Sequence, residues 1–310
     1  MEYGGGLMKI GVIKKGASFF IGESEKYLYT FGARNIHLMN KSDLHTIACF
    51  KDIINPTCIK FVGNTQFIAK TTSGLFKIYD LEQNQKQCLY TIKPKGIQGS
   101  QDTKFVLSPD KTYVIDVLNS NDEKYFYRID WRTGDCERML FQTHYGVIKD
   151  IQYDDSENRI LVLETWLEPL KNNQPCIKVI VSKVDPISCK KYILYEAIRT
   201  KLANVLYSKR FFVTDDMKIV DYLEGSAVQN LNIPMLKRTE GYYSRSYFSN
   251  DYRYYYVIYS SKVIIYNMVT NKIANQYHYE HCSSALIVNK YIYIGTWNGL
   301  FCLEFIDLSL

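Results

Sequence analysis

Short runs of β-branched and aromatic residues recur along the whole chain. Runs that start near Lys26, Gln66, Lys111, Arg159, Arg210, Arg253 and Tyr291 follow one another at spacings of 38 to 51 residues. Each is followed by a turn and another apolar run, and six of the seven by a fourth run. Turn residues such as Ser108–Asp110 and Ser249–Asp251 separate them. A period of about 40 to 50 residues predicts seven repeats of four antiparallel strands.

The strand-like runs do not alternate between polar and apolar residues. Runs such as "RYYYVIYS" and "RILVLET" are apolar at consecutive positions, which indicates sheets that are covered on both faces. Radially stacked sheets meet this condition, so we predict an all-β, seven-bladed β-propeller. The 27 tyrosines fit this fold because large rings can fill the space between blades, and we favour this over the alternative that they form a recognition surface.

The two ends of the sequence carry complementary irregularities. The last repeat, Thr296–Leu310, supplies a third strand but no fourth, whereas Lys9–Lys15 is a strand that precedes the first repeat. We therefore predict that Lys9–Lys15 pairs with "GLFCLEF" and closes the last blade. We expect residues 8–310 to form one propeller domain and residues 1–7 to be a disordered extension. The "GGGLM" stretch could be encoded as a ribosome-binding site that precedes a start codon at Met8. On this hypothesis residues 1–7 are not translated and the host is a bacterium.

Several stretches resemble repeats of the WD-repeat and quinoprotein-like (YVTN-type) propeller superfamily. Thr143–Leu163 is similar to its Gly-His, strand, Asp-turn, strand sequence, with His144 at the histidine position. Tyr79-Asp80 and Tyr266-Asn267 stand where that family has Trp-Asp. The resemblance implies the same seven-bladed fold, with binding on the face formed by the loops that enter each innermost strand. The fold itself hosts many functions.

Composition restricts the cellular setting and the classes of ligand. The 38 basic and 32 acidic residues give a net charge of +6 without a concentrated basic stretch, which disfavours nucleic acid as a partner. There is no apolar run of about 18 residues and no signal-peptide pattern, so we expect a cytoplasmic protein that does not bind membranes. The eight scattered cysteines are expected to be reduced and buried.

No catalytic motif is recognisable between a strand and a helix, which favours a non-enzymatic function without a cofactor. The stretch "YHYEHC" offers His278, Glu280, His281 and Cys282 as metal ligands, but neighbouring strand residues point to opposite faces, so we expect a strand end and no metal site. The innermost strands carry a single carboxylate, Asp150, which counts against an axial calcium. They also carry cations, and the alternative function is an enzyme or small-ligand binder whose central channel holds an anion through Lys60, Lys104 and Arg245.

Three connections are longer than a propeller needs: Lys93–Asp102, Trp166–Pro175 and Ile233–Arg245. Basic residues are frequent in the loops of the same face. We predict that the protein is a scaffold that binds a protein or peptide, possibly acidic in charge, on this basic rim. The predicted contact residues are Trp166, Leu167, Met235, Lys237, Arg238, Tyr242 and Tyr243. The oligomeric state stays open.

Overall fold

The computed structural model describes residues 9–82, 88–95, 104–119, 124–141, 147–171, 174–188 and 190–310. These residues form 28 β-strands in seven four-stranded antiparallel sheets, and none of them lies in an α-helix. Seven such sheets in sequence order are the blades of a β-propeller, which confirms the predicted fold class. The predicted starts of the second strand of each repeat agree with the observed ones to within two residues.

The strands of the first four blades are these. Blade 1 contains β2 (Phe20–Glu23), β3 (Tyr27–Phe31), β4 (Ile36–Asn40) and β5 (Thr46–Phe50). Blade 2 contains β6 (Pro56–Val62), β7 (Gln66–Thr71), β8 (Phe76–Asp80) and β9 (Tyr90–Ile92). Blade 3 contains β10 (Phe105–Leu107), β11 (Tyr113–Asn119), β12 (Lys124–Asp130) and β13 (Cys136–Phe141). Blade 4 contains β14 (Val147–Asp154), β15 (Arg159–Lys171), β16 (Gln174–Val184) and β17 (Lys191–Arg199).

The remaining three blades follow the same order. Blade 5 contains β18 (Ala203–Tyr207), β19 (Phe211–Thr214), β20 (Lys218–Asp221) and β21 (Ser226–Asn230). Blade 6 contains β22 (Tyr243–Phe248), β23 (Tyr254–Tyr259), β24 (Lys262–Asn267) and β25 (Lys272–His278). Blade 7 contains β26 (Cys282–Val288), β27 (Tyr291–Thr296), β28 (Gly299–Glu304) and the N-terminal strand β1 (Lys9–Lys15).

Strand β1 completes blade 7, as the sequence predicts. It pairs antiparallel with β28, from Lys9 opposite Leu303 to Lys15 opposite Gly299. The pairing covers the free hydrogen-bonding edge of β28 with a strand from the other end of the chain. The predicted extension, residues 1–7, lies outside the described residues.

The chain divides into two compact units. Unit one consists of Met1–Ile54 and Leu231–Leu310 and holds blades 1, 6 and 7; unit two consists of Asn55–Asn230 and holds blades 2 to 5. Each unit has its own buried apolar clusters, which lie between adjacent blades.

An Asp or Asn ends the third strand, or directly follows it, in six blades. The residues are Asn40, Asp80, Asp130, Asp185, Asp221 and Asn267. In each case the side-chain oxygen accepts the backbone N–H of the residue two positions later, at 2.8 to 3.0 Å. This Asx turn starts the connection to the fourth strand. The Tyr-Asp and Tyr-Asn pairs that resemble the Trp-Asp signature therefore occupy a real repeat position.

Tyrosines of blade 6 bond to the neighbouring blade through their hydroxyls. The Tyr247 hydroxyl accepts the backbone N–H of Ala285 at 2.7 Å and donates to its carbonyl at 2.8 Å. The Tyr256 hydroxyl accepts the N–H of Ile287 at 3.1 Å. Both partners lie in β26 of blade 7, and both rings pack against its apolar side chains. This confirms, for these residues, the prediction that tyrosines fill the space between blades.

Candidate partner-binding rim

One edge of unit one is formed by the loops that enter each innermost strand and by the turns between second and third strands. We call it the entry edge and define it as residues 14–19, 32–35, 51–54, 231–245, 260–261, 279–281 and 297–298. Backbone hydrogen bonds join five of these segments, from 231–245 to 14–19, in a series from blade 6 to blade 1. They run from Ser260 to Tyr242 at 2.9 Å, Tyr279 to Ser261 at 3.2 Å, Trp297 to His281 at 3.2 Å, and Gly16 to Asn298 at 3.0 Å.

The segment before β22 is the longest part of the entry edge, and its conformation follows from a few residues. Leu231 and Ile233 are buried and anchor its start. The Glu240 carboxylate accepts the backbone N–H of Lys237 at 3.0 Å, and the Gly241 N–H bonds to the Lys237 carbonyl at 3.3 Å. Gly241 has φ +148°, and a Cβ there would lie 2.4 Å from the Ser261 hydroxyl, so this position requires glycine. These contacts fix the conformation of the turn at Lys237–Gly241.

Five of the predicted contact residues lie together on this segment. Met235, Tyr242 and Tyr243 are 62%, 56% and 42% exposed, which is unusual for large apolar side chains, and Lys237 and Arg238 are also exposed. Tyr243 is held in place, because its ring packs edge-on against Tyr259 and its hydroxyl lies 2.8 Å from the Ser246 hydroxyl. The segment thus presents apolar side chains beside two cations.

The prediction of a long loop at Trp166–Pro175 is wrong. Strand β15 continues to Lys171 and β16 begins at Gln174, so this stretch is an extended hairpin of blade 4 in unit two. Trp166 lies opposite Lys178, whose Nζ is 4.7 Å from the ring centroid. Leu167 pairs through its backbone with Ile177, and its side chain lies outside the described residues. Their role in binding stays a prediction. Of the long connection predicted at Lys93–Asp102, the structure describes residues 93–95, and the remaining residues lie outside the described part.

The residues predicted to bind an anion are divided between the units. Lys60 and Lys104 belong to unit two and Arg245 to unit one. Lys104 is engaged in an ion pair with buried Asp150, at 3.1 Å from Nζ to Oδ1. Asp150 also accepts the backbone N–H groups of Ile151 and Leu206, at 3.0 and 3.1 Å. The carboxylate therefore joins blade 4 to blade 5, and anion binding by the three cations stays a prediction.

An aromatic group on the entry edge is not predicted by the sequence pattern. Trp297, in the turn between β27 and β28, is 54% exposed. Its ring stacks on His281, with centroids 5.0 Å apart and planes 18° apart, and meets Phe19 edge-on at 6.3 Å. We call these three residues the aromatic step. They come from three separate loops, and only the exposed tryptophan in a "TWNG" turn could have indicated it from the sequence.

The "YHYEHC" stretch forms the entry into blade 7. His278 ends β25, and His281 adopts a left-handed backbone conformation with φ 55° immediately before β26. Cys282 is buried, which raises the pKa of its thiol to about 12, and its Sγ donates to the Tyr279 carbonyl at 3.1 Å. Across the described residues, no three His, Cys, Asp or Glu side chains are grouped closely enough to hold a metal ion.

Charge is unevenly distributed between the two edges of unit one. The entry edge has seven basic residues and three acids: Lys14, Lys15, Arg34, Lys51, Lys237, Arg238 and Arg245 against Asp52, Glu240 and Glu280. The opposite edge, defined as residues 9, 23–26, 41–45, 249–253, 268–272, 289–290 and 304–310, has six basic residues and six acids: Lys9, Lys26, Lys41, Arg253, Lys272 and Lys290 against Glu23, Glu25, Asp43, Asp251, Glu304 and Asp307. The entry edge of unit one is therefore the basic one.

Two lysines of the entry edge also act on the interior of blade 1. Lys14 is half-buried and donates to the carbonyls of Gly16 and Ala17, at 3.2 and 3.0 Å, and burial lowers its pKa. Burial, together with the positive charges of Lys14 and Lys51, lowers the pKa of His37 to about 4. His37 is consequently neutral at neutral pH. Lys14 stabilises the loop, whereas the exposed cations are available to a partner.

None of the described residues forms a helix long and apolar enough to span a membrane. No protein family matches the sequence, and no curated protein matches it either. Among solved structures, the C-terminal WD40 domain of Sif2 is similar, with a TM-score of 0.63 and 10% identity over 96% of this chain and 98% of that domain. The fold is that of a WD-repeat-like propeller.

A second similar structure is the computationally designed Ika8 protein. It has a TM-score of 0.62 and 12% identity, over 94% of this chain and 97% of its own. At such low identity the similarity shows the fold alone. The function of the WD-repeat-like propeller must be inferred from its own surface.

Proposed function

We propose that this protein is a non-enzymatic, cytoplasmic propeller scaffold that binds a protein or peptide partner through the entry edge of unit one. The observation that carries the proposal is the combination of exposed Met235, Tyr242 and Tyr243 with Lys237 and Arg238 on one ordered segment. Large aromatic and Arg side chains dominate the binding energy of protein interfaces. The seven described cysteines form no disulfide, which is consistent with a reducing compartment.

Binding would proceed by display on a rigid support. The hydrogen bonds of the entry edge fix the loops before a partner arrives, so little conformational entropy is lost on association. The excess of cations on this edge would attract an acidic surface and increase the association rate, and the apolar side chains would then be buried in the contact.

The test is affinity capture from a lysate of the native host. The rim variant replaces Lys237, Arg238, Tyr242 and Tyr243 by alanine. The control variant replaces by alanine two lysines and two exposed apolar residues of the opposite edge, namely Lys26, Lys272, Val269 and Leu308. We expect the rim variant to lose proteins that both the wild type and the control recover. Equal recovery by all three proteins, with unchanged unfolding temperatures, would contradict the proposed surface.

A further inference from the structure

The aromatic step extends the proposed binding surface toward blade 1. The proposed contact residues lie on blade 6, and the backbone hydrogen bonds of the entry edge continue from there through His281 to Trp297. Resting on the proposed function, we infer that the partner's contact segment is an acidic peptide with one aromatic or large aliphatic anchor residue, and that this anchor packs on Trp297.

Trp297 is held rigidly although its ring is exposed. The buried Thr296 hydroxyl accepts the N–H groups of Asn298 and Gly299, both at 3.1 Å, which fixes the turn that carries the ring. The Thr296 carbonyl accepts the Ser18 N–H at 2.8 Å, and this bond ties the turn to blade 1. A fixed aromatic ring can bind an apolar group with a small entropic cost.

The surroundings of Trp297 decide what kind of group can bind. His281 covers one face of the indole and Phe19 approaches it edge-on, yet about half of the Trp297 side chain remains exposed. An aromatic or aliphatic side chain gains burial and ring contact at such a surface. Exposed cations lie on both sides along the edge, Lys237 and Arg238 on blade 6 and Lys15 and Arg34 around blade 1. Carboxylates that flank the anchor would therefore face positive charge.

A peptide fits this surface better than nucleic acid does. Nonspecific binding of a single strand uses successive aromatic platforms along a continuous basic groove. Here acids interrupt the basic residues of the edge: Glu280 directly precedes His281, and Asp52 and Glu240 lie on the same edge. A carboxylate next to the aromatic step repels a phosphate backbone, whereas a peptide can place its own acids at other positions.

The experiment is selection of a random dodecapeptide phage library on the intact protein. We expect enriched peptides that combine Asp or Glu with one Phe, Trp, Tyr, Leu or Met at a constant position. Synthetic versions of these peptides are then titrated against the variants by fluorescence anisotropy. Trp297→Ala should weaken binding about 30-fold, the loss typical of an interface hot spot. Trp297→Phe, which keeps an aromatic ring, should restore most of the affinity.

Two further variants separate charge from apolar contact. The double variant Lys237→Ala, Arg238→Ala should weaken binding and reduce its salt dependence. Val269→Ala, at an apolar position on the opposite edge of unit one that is more exposed than Trp297, should change neither the affinity nor its salt dependence. Unfolding temperatures equal to that of the wild type show that each variant folds.

The possible failures are distinguishable. Selected peptides that lack acids, or that bind Trp297→Ala as tightly as the wild type, overturn the inference and leave the proposed function intact. Enrichment of no peptide, or tight binding of a 20-nucleotide oligothymidylate in its place, also overturns the inference. The lysate capture with the four-residue rim variant then decides separately whether the proposed function survives.

Discussion

A completely buried ion pair joins blades 2 and 3 of unit two. The Lys70 ammonium lies 2.8 and 2.7 Å from the two carboxylate oxygens of Asp116, and both side chains are 0% exposed. Burial raises the pKa of Asp116 to about 6 even though Lys70 opposes this shift. Desolvation therefore outweighs attraction at this pair. Its contribution to stability depends on both charges being present.

Removing one partner should be far more costly than removing both. Lys70→Met leaves a buried carboxylate without its counter-ion, and we expect a loss of about 3–5 kcal/mol of unfolding free energy at pH 7.5. The double variant Lys70→Met, Asp116→Leu removes both charges at similar volume, and its stability should equal or exceed that of the wild type by about 1–4 kcal/mol. Urea unfolding followed by circular dichroism measures both values.

The pH dependence provides a second signature. The folded-state pKa of Asp116, about 6, is above the ordinary value of an unfolded chain, so between these two values the folded protein binds more protons. The destabilisation due to this ionised carboxyl is complete above pH 6 and disappears as the pH falls toward 4. In Lys70→Met the Asp116 carboxyl lacks its counter-ion, and this is costly only where the carboxyl is ionised. The variant should therefore lose less unfolding free energy at pH 5 than at pH 7.5.

An exposed ion pair of the same unit serves as the control. Lys183 lies 2.7 Å from Glu157, whose side chain is half-exposed, and Lys183→Met should cost less than about 1 kcal/mol. A double variant as unstable as Lys70→Met alone would contradict this account of the ion pair. So would equal losses of unfolding free energy for Lys70→Met and Lys183→Met.

Three further changes test the closure and the packing of unit one. Deleting Lys9–Ile13 removes most of the strand that closes blade 7 and should lower the calorimetric unfolding temperature by more than about 5 °C, whereas deleting residues 2–7 should leave it unchanged. Gly295→Ala would place a Cβ 2.3 Å from the Ser18 carbonyl oxygen and should cost about 1–3 kcal/mol in urea unfolding; a neutral result would show that this close approach is relaxed. Tyr247→Phe keeps the ring but leaves a buried β26 N–H without its acceptor, so a loss of about 1–3 kcal/mol is expected by the same measurement, and no loss would mean that the hydroxyl bond is unimportant.

The sequence contains enough information for the blades because strands and turns are local. Apolar runs at a regular period predict the 28 strands. The extra strand before the first repeat and the missing fourth strand of the last repeat predict the closure of blade 7. Blade 4 is the exception. The stretch Trp166–Pro175 is predicted to be a long loop, but its first part belongs to β15, and Pro169 lies where the pairing register shifts between Glu168 and Lys171, a position at which a strand tolerates proline.

The candidate site was only partly predictable, since it depends on which loops become neighbours. The loop before β22 was found because it is long and rich in aromatic and basic residues. His281 and Trp297 belong to two short turns of blade 7, and Phe19, far away in the sequence, meets Trp297 only after blades 7 and 1 are packed together. Periodicity carries no signal for such a cluster.

The tyrosines of blade 6 separate stability from recognition. Tyr247 and Tyr256 are bonded to β26, and burial raises the pKa of Tyr247 to about 12, so its hydroxyl remains a hydrogen-bond donor at neutral pH. Tyr242 and Tyr243 precede or begin the innermost strand, and both are exposed. Because the two sets occupy different positions along one blade, the exposed tyrosines can change with the partner while the buried ones hold adjacent blades together.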